Sequence, residues 1–275
     1  MSLGWITVTD YPFDCFLLFE RFQIHNLCQR ARGEGEYRIH LGIALAHHPA
    51  VHWVFAHKCP EHAALLQALV DMAPQNGSRE AVRASELFML EAAEDFVIYC
   101  YPDRMDTGCD FIYNWDKSLL FEMADFSDKV VLDVGSGSGR LAFAAAEQAR
   151  WVYASEPVDS LREYLREKIA REGIRNMRVV DGMAHVLPYP DDTFDIVMSG
   201  HVVGDDYDNE VAELVRVTKN GGWVLDCPGD AGTWKRTQEQ AKNDNELIAR
   251  FGFQEWHHVG PLGGDNFRYS KQVHK

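Results

Sequence analysis

The chain has 275 residues, 46% of them hydrophobic, enough to bury a sizeable core in one large domain or two modest ones. Its 27 Lys and Arg against 42 Asp and Glu give a net charge of −15, which argues against a nucleic-acid binder that neutralises phosphates with a clustered basic surface. The best apolar run, residues 41 to 56, is broken by Gly42, His47, His48, Pro49 and His52 and falls short of the roughly 18 residues of a membrane span.

Neither a secretory signal nor a disulfide framework is visible. Cys15, Cys28, Cys59, Cys100, Cys109 and Cys227 form no CxxC pair, which suits a reducing cytoplasm.

Residues 1–110 read as helices joined by short breaks, with amphipathic spacing over 13–32, 37–48, 60–73 and 78–101. Asn76-Gly77-Ser78 marks a turn and a helix N-cap, and Arg32-Gly33-Glu34-Gly35 marks another break. The expectation is a helical N-terminal cap related to substrate. Within it, His47, His48, His52, His57 and His62 crowd around Cys59. Imidazole and thiolate are good zinc ligands, but the spacing matches no zinc finger, and Pro49 and Pro60 interrupt any single helix. The cluster is read as hydrogen-bonded cap histidines, one or two of them facing substrate, and no metal site is assigned.

The first strand follows at Val130 to Val134 and breaks into Gly135-Ser136-Gly137-Ser138-Gly139 before a helix over 140–150. Glycine at alternate positions lets the main chain turn sharply and approach a ligand closely, which points to a small nucleotide-like cofactor. The spacing is GxGxG, not the dinucleotide GxGxxG, and no Walker lysine follows, so a triphosphate is disfavoured. A second strand, Trp151 to Ser155, ends at Glu156. At the tip of a parallel strand beside the loop, that carboxylate is placed to accept both hydroxyls of a ribose.

Farther along stand Val179-Val180-Asp181, then Leu187-Pro188-Tyr189-Pro190-Asp191-Asp192-Thr193-Phe194-Asp195 running into an apolar strand, and Lys219-Asn220-Gly221-Gly222 before another. After the fourth strand come Ser199-Gly200-His201-Val202 and then Asp205-Asp206, ahead of a helix over 208–217. The Asn-Pro-Pro-aromatic type of segment that grips a flipped base is absent there. His201 is the candidate catalytic group, either as a proton acceptor or as a hydrogen-bonding group for loop or cofactor. Asp205 and Asp206 either orient a polar substrate or cap the helix. A helix near 238–251 and two β-type runs, 253–259 and 267–273, close the chain.

These ordered motifs resemble the class I S-adenosylmethionine-dependent methyltransferases, over roughly residues 110–275. The resemblance implies an α/β fold with a Rossmann-like seven-stranded, mostly parallel sheet whose last strand is antiparallel, occupying residues 111–275 behind the helical cap. It implies S-adenosyl-L-methionine as cofactor, S-adenosyl-L-homocysteine as product, and transfer of a methyl group to an O, N or C nucleophile of a small molecule.

Asp133, Gly135, Ser136, Gly137 and Gly139 would shape the methionine end of the pocket, Glu156 would hold the ribose, and Pro157, Met183 and Ala184 would flank adenine. Ser199 would lie at the cofactor. Met183 stands where the family often has an adenine-binding acid, leaving Asp181, the Ala184 main chain or His185 for that contact. Tyr113 and Trp115 fall where relatives bring an aromatic over the cofactor, against the alternative that Phe111, Trp115 and Leu119 form one apolar helix face. Two other readings stand: a protein that binds S-adenosylmethionine without turnover, and, less favoured, a nucleotide-dependent oxidoreductase.

Overall fold

The computed structural model describes residues 6–33, 35–74, 77–228, 244–259 and 265–275. The chain divides into two compact units, Met1–Gly108 and Cys109–Lys275.

The first unit is helical: α1 (Arg21–Arg30), α2 (Glu36–His47), α3 (Pro49–Lys58), α4 (Ala63–Met72), α5 (Arg79–Ala92), and the short α6 (Glu94–Val97) and α7 (Pro102–Gly108). The stretch expected as one helix over 13–32 is two pieces. A 3-10 segment, Phe13–Leu18, packs Phe13 and Phe16 into the core, and α1 starts afresh behind a capping box in which the Glu20 N–H donates to Gln23 Oε1 at 2.7 Å.

Pro49 separates α2 from α3, as expected, and it begins the second of the two helices. At the first helical position its missing N–H has no intrahelical partner to lose. Ser78 caps α5 by accepting from the Ala81 N–H at 3.2 Å. Phe13, Phe16, Phe19 and Phe55 sit at the centre of the core, with Phe16 edge-on to Phe13 and Phe19 at 4.5 Å each.

The second unit opens with two short helices, α8 (Asp110–Tyr113) and α9 (Ser118–Phe121), and then alternates strand and helix: β1 (Val130–Val134), α10 (Arg140–Ala146), β2 (Trp151–Ser155), α11 (Asp159–Glu172), β3 (Met177–Val180), β4 (Phe194–Ser199), α12 (Tyr207–Val217), β5 (Thr218–Asp226), β6 (Gln254–Val259) and β7 (Asp265–Gln272). The seven strands form one sheet in the order β3-β2-β1-β4-β5-β7-β6. β3 through β5 run parallel, and β7 is antiparallel to both β5 and β6. The Rossmann-like sheet with its reversed last strand is as expected.

Parallel strands covered on both faces must be apolar throughout, and Val131, Leu132, Val134, Ile196, Val197 and Met198 are all buried. The expected helix over 140–150 stops at Ala146, and β5 begins earlier than expected, at Thr218. Of the helix expected near 238–251, the part described is π-helical over Asp244–Arg250 and a turn at Phe251; residues 238–243 lie outside the described residues, as does most of the 260–265 link between the last two strands. No described helix is long and apolar enough to cross a membrane.

Candidate functional site

The register of β1, β2 and β4 sets Val134, Ser155 and Ser199 side by side, so the segments leaving all three strands share one edge of the sheet. The break between the two βα units on either side of β1 is where open α/β sheets bind ligands. Gly135, Gly137 and Gly139 all take positive φ, at 64°, 55° and 99°. The Gly135 and Ser136 amides donate to the Ser155 carbonyl at 2.8 and 3.2 Å, pinning the loop to the end of β2. A Cβ on Gly135 would lie 2.4 Å from Val202 Cγ2, so the loop after β4 packs directly on the glycine loop.

Glu156 is buried and works as a bracket. One oxygen accepts from the Gly137 N–H at 2.8 Å and the other from the Val158 N–H at 2.9 Å. Burial pushes its carboxyl up to about 7, against the pull of those two amides and of Arg162. Arg162 links the Glu156 carbonyl, at 2.9 Å, to Asp181 at 3.2 Å and Asp159 at 2.8 Å. Asp181, one of the residues considered for adenine, is therefore engaged in an exposed ion pair.

Asp133 is also buried, its carboxyl pushed by burial to about 7 despite Arg140, and its Oδ2 has no hydrogen-bond partner. Ser136 donates to the Asp133 carbonyl at 2.9 Å.

Pro157, Met183 and Ala184 are half-buried, and Met183 pairs with Val186 in an isolated bridge. Ser199, expected at the cofactor, donates its hydroxyl to Asp226 at 2.9 Å, the two residues being paired in the register of β4 and β5. Asp206 caps α12 by accepting from the Asn209 amide, which settles its helix-capping role.

Tyr113 is exposed at the end of α8. Trp115 lies between α8 and α9, not on a helix face with Leu119, and two guanidinium groups lie against its ring, Arg140 at 5.0 Å and Arg268 at 6.0 Å from the centroid. The indole expected to meet the sulfonium thus carries arginine.

Arg140, the first residue of α10, is the site residue that sequence reasoning missed. It donates to the Cys227 carbonyl, and it influences both Asp133 and His201 electrostatically. A Cβ on Gly200 would meet the Cys227 carbonyl oxygen at 2.6 Å and Arg140 Nη2 at 2.8 Å, so that glycine makes room for the arginine. The available signal was a cation at the positive end of a helix, a position that costs energy unless anionic or carbonyl partners surround it.

His201 has φ of 61° and keeps contact with solvent, yet the protein packed around its ring and then the Arg140 guanidinium hold the imidazole down at about 4. It is neutral at pH 7 and too weak a base to sit near the optimum for proton transfer at that pH.

His47, His48 and His57 of the expected cluster bond to other groups and not to one another. His47 and His57 bond the carbonyls of Ile43 and Trp53 at 2.9 and 2.8 Å, and His48 bridges Asp14 and Glu86 at 2.9 Å each. His52 stays uncharged more readily because burial lowers its pKa.

Residues 131–222 match the family model described as a methyltransferase domain. The demethylmenaquinone methyltransferase of Geobacillus stearothermophilus is 30% identical over 132 residues, covering 46% of this chain and 56% of that protein. The uncharacterized methyltransferase YcgJ of Bacillus subtilis is 29% identical over 113 residues, covering 40% of this chain and 45% of that protein. The chain thus spans about half the length of these curated relatives. A SAM-dependent methyltransferase from Aquifex aeolicus shares the fold at a TM-score of 0.52 and 19% identity, covering 62% of this chain and 98% of that one.

Residues 131–222 are a methyltransferase domain, and the second unit resembles the class I S-adenosylmethionine-dependent methyltransferases, the class whose cofactor is S-adenosylmethionine. The residues present fit it. Each Glu156 oxygen accepts one amide and retains a lone pair for a ribose hydroxyl, Asp133 offers an unpartnered buried oxygen, and a side chain at Gly135 would clash with Val202.

Proposed function

We propose that this chain transfers the methyl group of S-adenosylmethionine to an oxygen, nitrogen or carbon nucleophile of a small molecule. The observation that carries the reading is the Glu156 carboxylate, buried at the tip of β2 and held against the glycine loop through the Gly137 amide. Asp133, Gly135, Ser136, Gly137 and Gly139 are assigned to the methionine end, Glu156 to the ribose, and Pro157, Met183 and Ala184 to adenine.

The bound cofactor supplies a methyl group already activated on a sulfonium, so the protein's work is to hold the nucleophile in line about 3 to 3.5 Å from it. His201, neutral at pH 7, serves that task as a hydrogen-bonding group on the loop after β4. A small acceptor is supported by the net charge of −15 and by the likeness to the demethylmenaquinone methyltransferase of Geobacillus. The helical first unit is assigned to acceptor selection, because the cofactor residues all fall in the second. The six free cysteines support a cytoplasmic setting.

Isothermal titration with S-adenosylmethionine and S-adenosylhomocysteine, with NADH as control, tests the cofactor. Saturable binding of both sulfur ligands, weakened in Glu156→Ala and absent for NADH, is the expected result. NADH binding in their place would move the reading to a nucleotide-dependent oxidoreductase. A second reading is binding of S-adenosylmethionine without turnover. Tight cofactor binding with no labelled methyl transferred to any member of a broad acceptor panel would select it.

A further inference from the structure

Among the described residues of the first unit, His25, Glu61 and His62 bring three donor atoms together within 4.8 Å of one another. His25 Nδ1 lies 3.1 Å from His62 Nε2 and 3.5 Å from Glu61 Oε1. A tetrahedral zinc ion with ligands at about 2.0 to 2.1 Å separates neighbouring donors by about 3.3 Å, so both edges already have the length of a ligand set. His25 comes from α1, and Glu61 and His62 from the 3-10 turn Pro60–His62 that leads into α4. His62 is buried, and the other two reach the surface, which leaves one side of the cluster open to water.

We propose that His25 Nδ1, His62 Nε2 and Glu61 Oε1 form a site for a divalent transition metal of the zinc type, with water in the fourth position. Two imidazoles and a carboxylate are a donor set that such ions take, and an open fourth position is a recognised arrangement. The proposal is independent of the methyl-transfer reading.

The ligand-free hydrogen bonds show what the ion would replace. Arg32, which can only donate, lies 3.3 Å from His62 Nδ1, and the Gln29 amide lies 3.1 Å from His25 Nε2. Metal on His62 Nε2 leaves the ring proton on Nδ1 and displaces Arg32, an exposed side chain, while metal on His25 Nδ1 leaves the proton on Nε2. Arg21 grips both Glu61 oxygens, at 2.7 and 3.2 Å, and each oxygen keeps a further lone pair. Bound metal would cross-link α1 to the turn before α4, a contact between residues 37 apart in sequence.

The test is zinc content of the tag-free full chain after equilibration with zinc and gel filtration. Close to one zinc per chain is expected, with affinity at least about tenfold lower in His25→Ala and Glu61→Gln, since even loss of a ligand's supporting partner has effects of that order. Both residues are solvent-accessible, and the circular dichroism spectrum of each variant checks that it still folds. Zinc should also raise the melting temperature of the wild type and leave that of both variants unchanged. No retained zinc, or undiminished zinc in His25→Ala, overturns the proposal. Cobalt substitution adds a spectroscopic check. Weak ligand-field bands fit nitrogen and oxygen donors, whereas a strong sulfur-to-metal charge-transfer band would assign the ion to the buried Cys28 or Cys59 and refute this ligand set.

Discussion

Ligand binding at the Glu156 bracket should be pH-dependent, and the size of the effect follows from its surroundings. Burial raises the carboxyl to about 7. A ribose hydroxyl donates best to the ionised form, so binding selects the carboxylate. With a pKa near 7, roughly a tenth of the ligand-free protein is ionised at pH 6 and about nine tenths at pH 8, so affinity should rise about tenfold, or about 1.4 kcal/mol, across that interval.

Adenosine is the right probe, because it carries the ribose without the titrating amino group of the methionine moiety. Calorimetry in buffers of different ionisation enthalpy should detect proton release on binding at pH 6, and Glu156→Gln should bind more weakly with a flat profile. A flat wild-type profile with no proton release would refute the assignment of the raised carboxyl to ribose binding.

The same shift bears on folding. A carboxyl raised in the folded state contributes stability that is present below the ordinary carboxylate range and lost as pH rises through about 7; the melting temperature of ligand-free wild type should therefore fall between pH 5 and pH 8 more than that of Glu156→Gln. Gly135→Ala places a methyl 2.4 Å from Val202 Cγ2 at φ of 64°, and should destabilise by about 1 to 3 kcal/mol in urea unfolding while abolishing measurable cofactor binding. His201→Asn keeps a residue tolerant of positive φ and should lower kcat less than tenfold; a loss of 10² or more would restore general-base catalysis by this histidine. Arg140→Met removes the charge that depresses His201 and Asp133, so NMR titration should show the His201 pKa higher than in wild type; an unmoved value would contradict the placement of Arg140 beside it.

Much of the second unit was legible because its signals are local. An apolar strand, three glycines and a carboxylate at the next strand's tip lie within 27 residues, from Val130 to Glu156, and each has a short-range physical reason. The helices of the first unit were legible as periodicity, but their boundaries depended on caps. Glu20 with Gln23 restarts the chain at α1, and Pro49 starts α3 because a helix tolerates proline in its first turn. The arginines against the Trp115 ring were not legible, because Arg140 and Arg268 lie 25 and 153 positions away in the chain.

By itself, the sequence determined the sheet-and-helix alternation, the glycine loop, the position of Glu156 and a nucleotide-like ligand, since backbone sterics and strand periodicity act between near neighbours. Tertiary structure decided the rest. Strand register turned Ser199 towards Asp226, burial raised Asp133 and Glu156, Arg140 set the charge at His201, and helix packing brought His25 against His62. Those outcomes depend on which distant groups meet and how much water remains between them, and residue order along the chain does not specify either until the chain has folded.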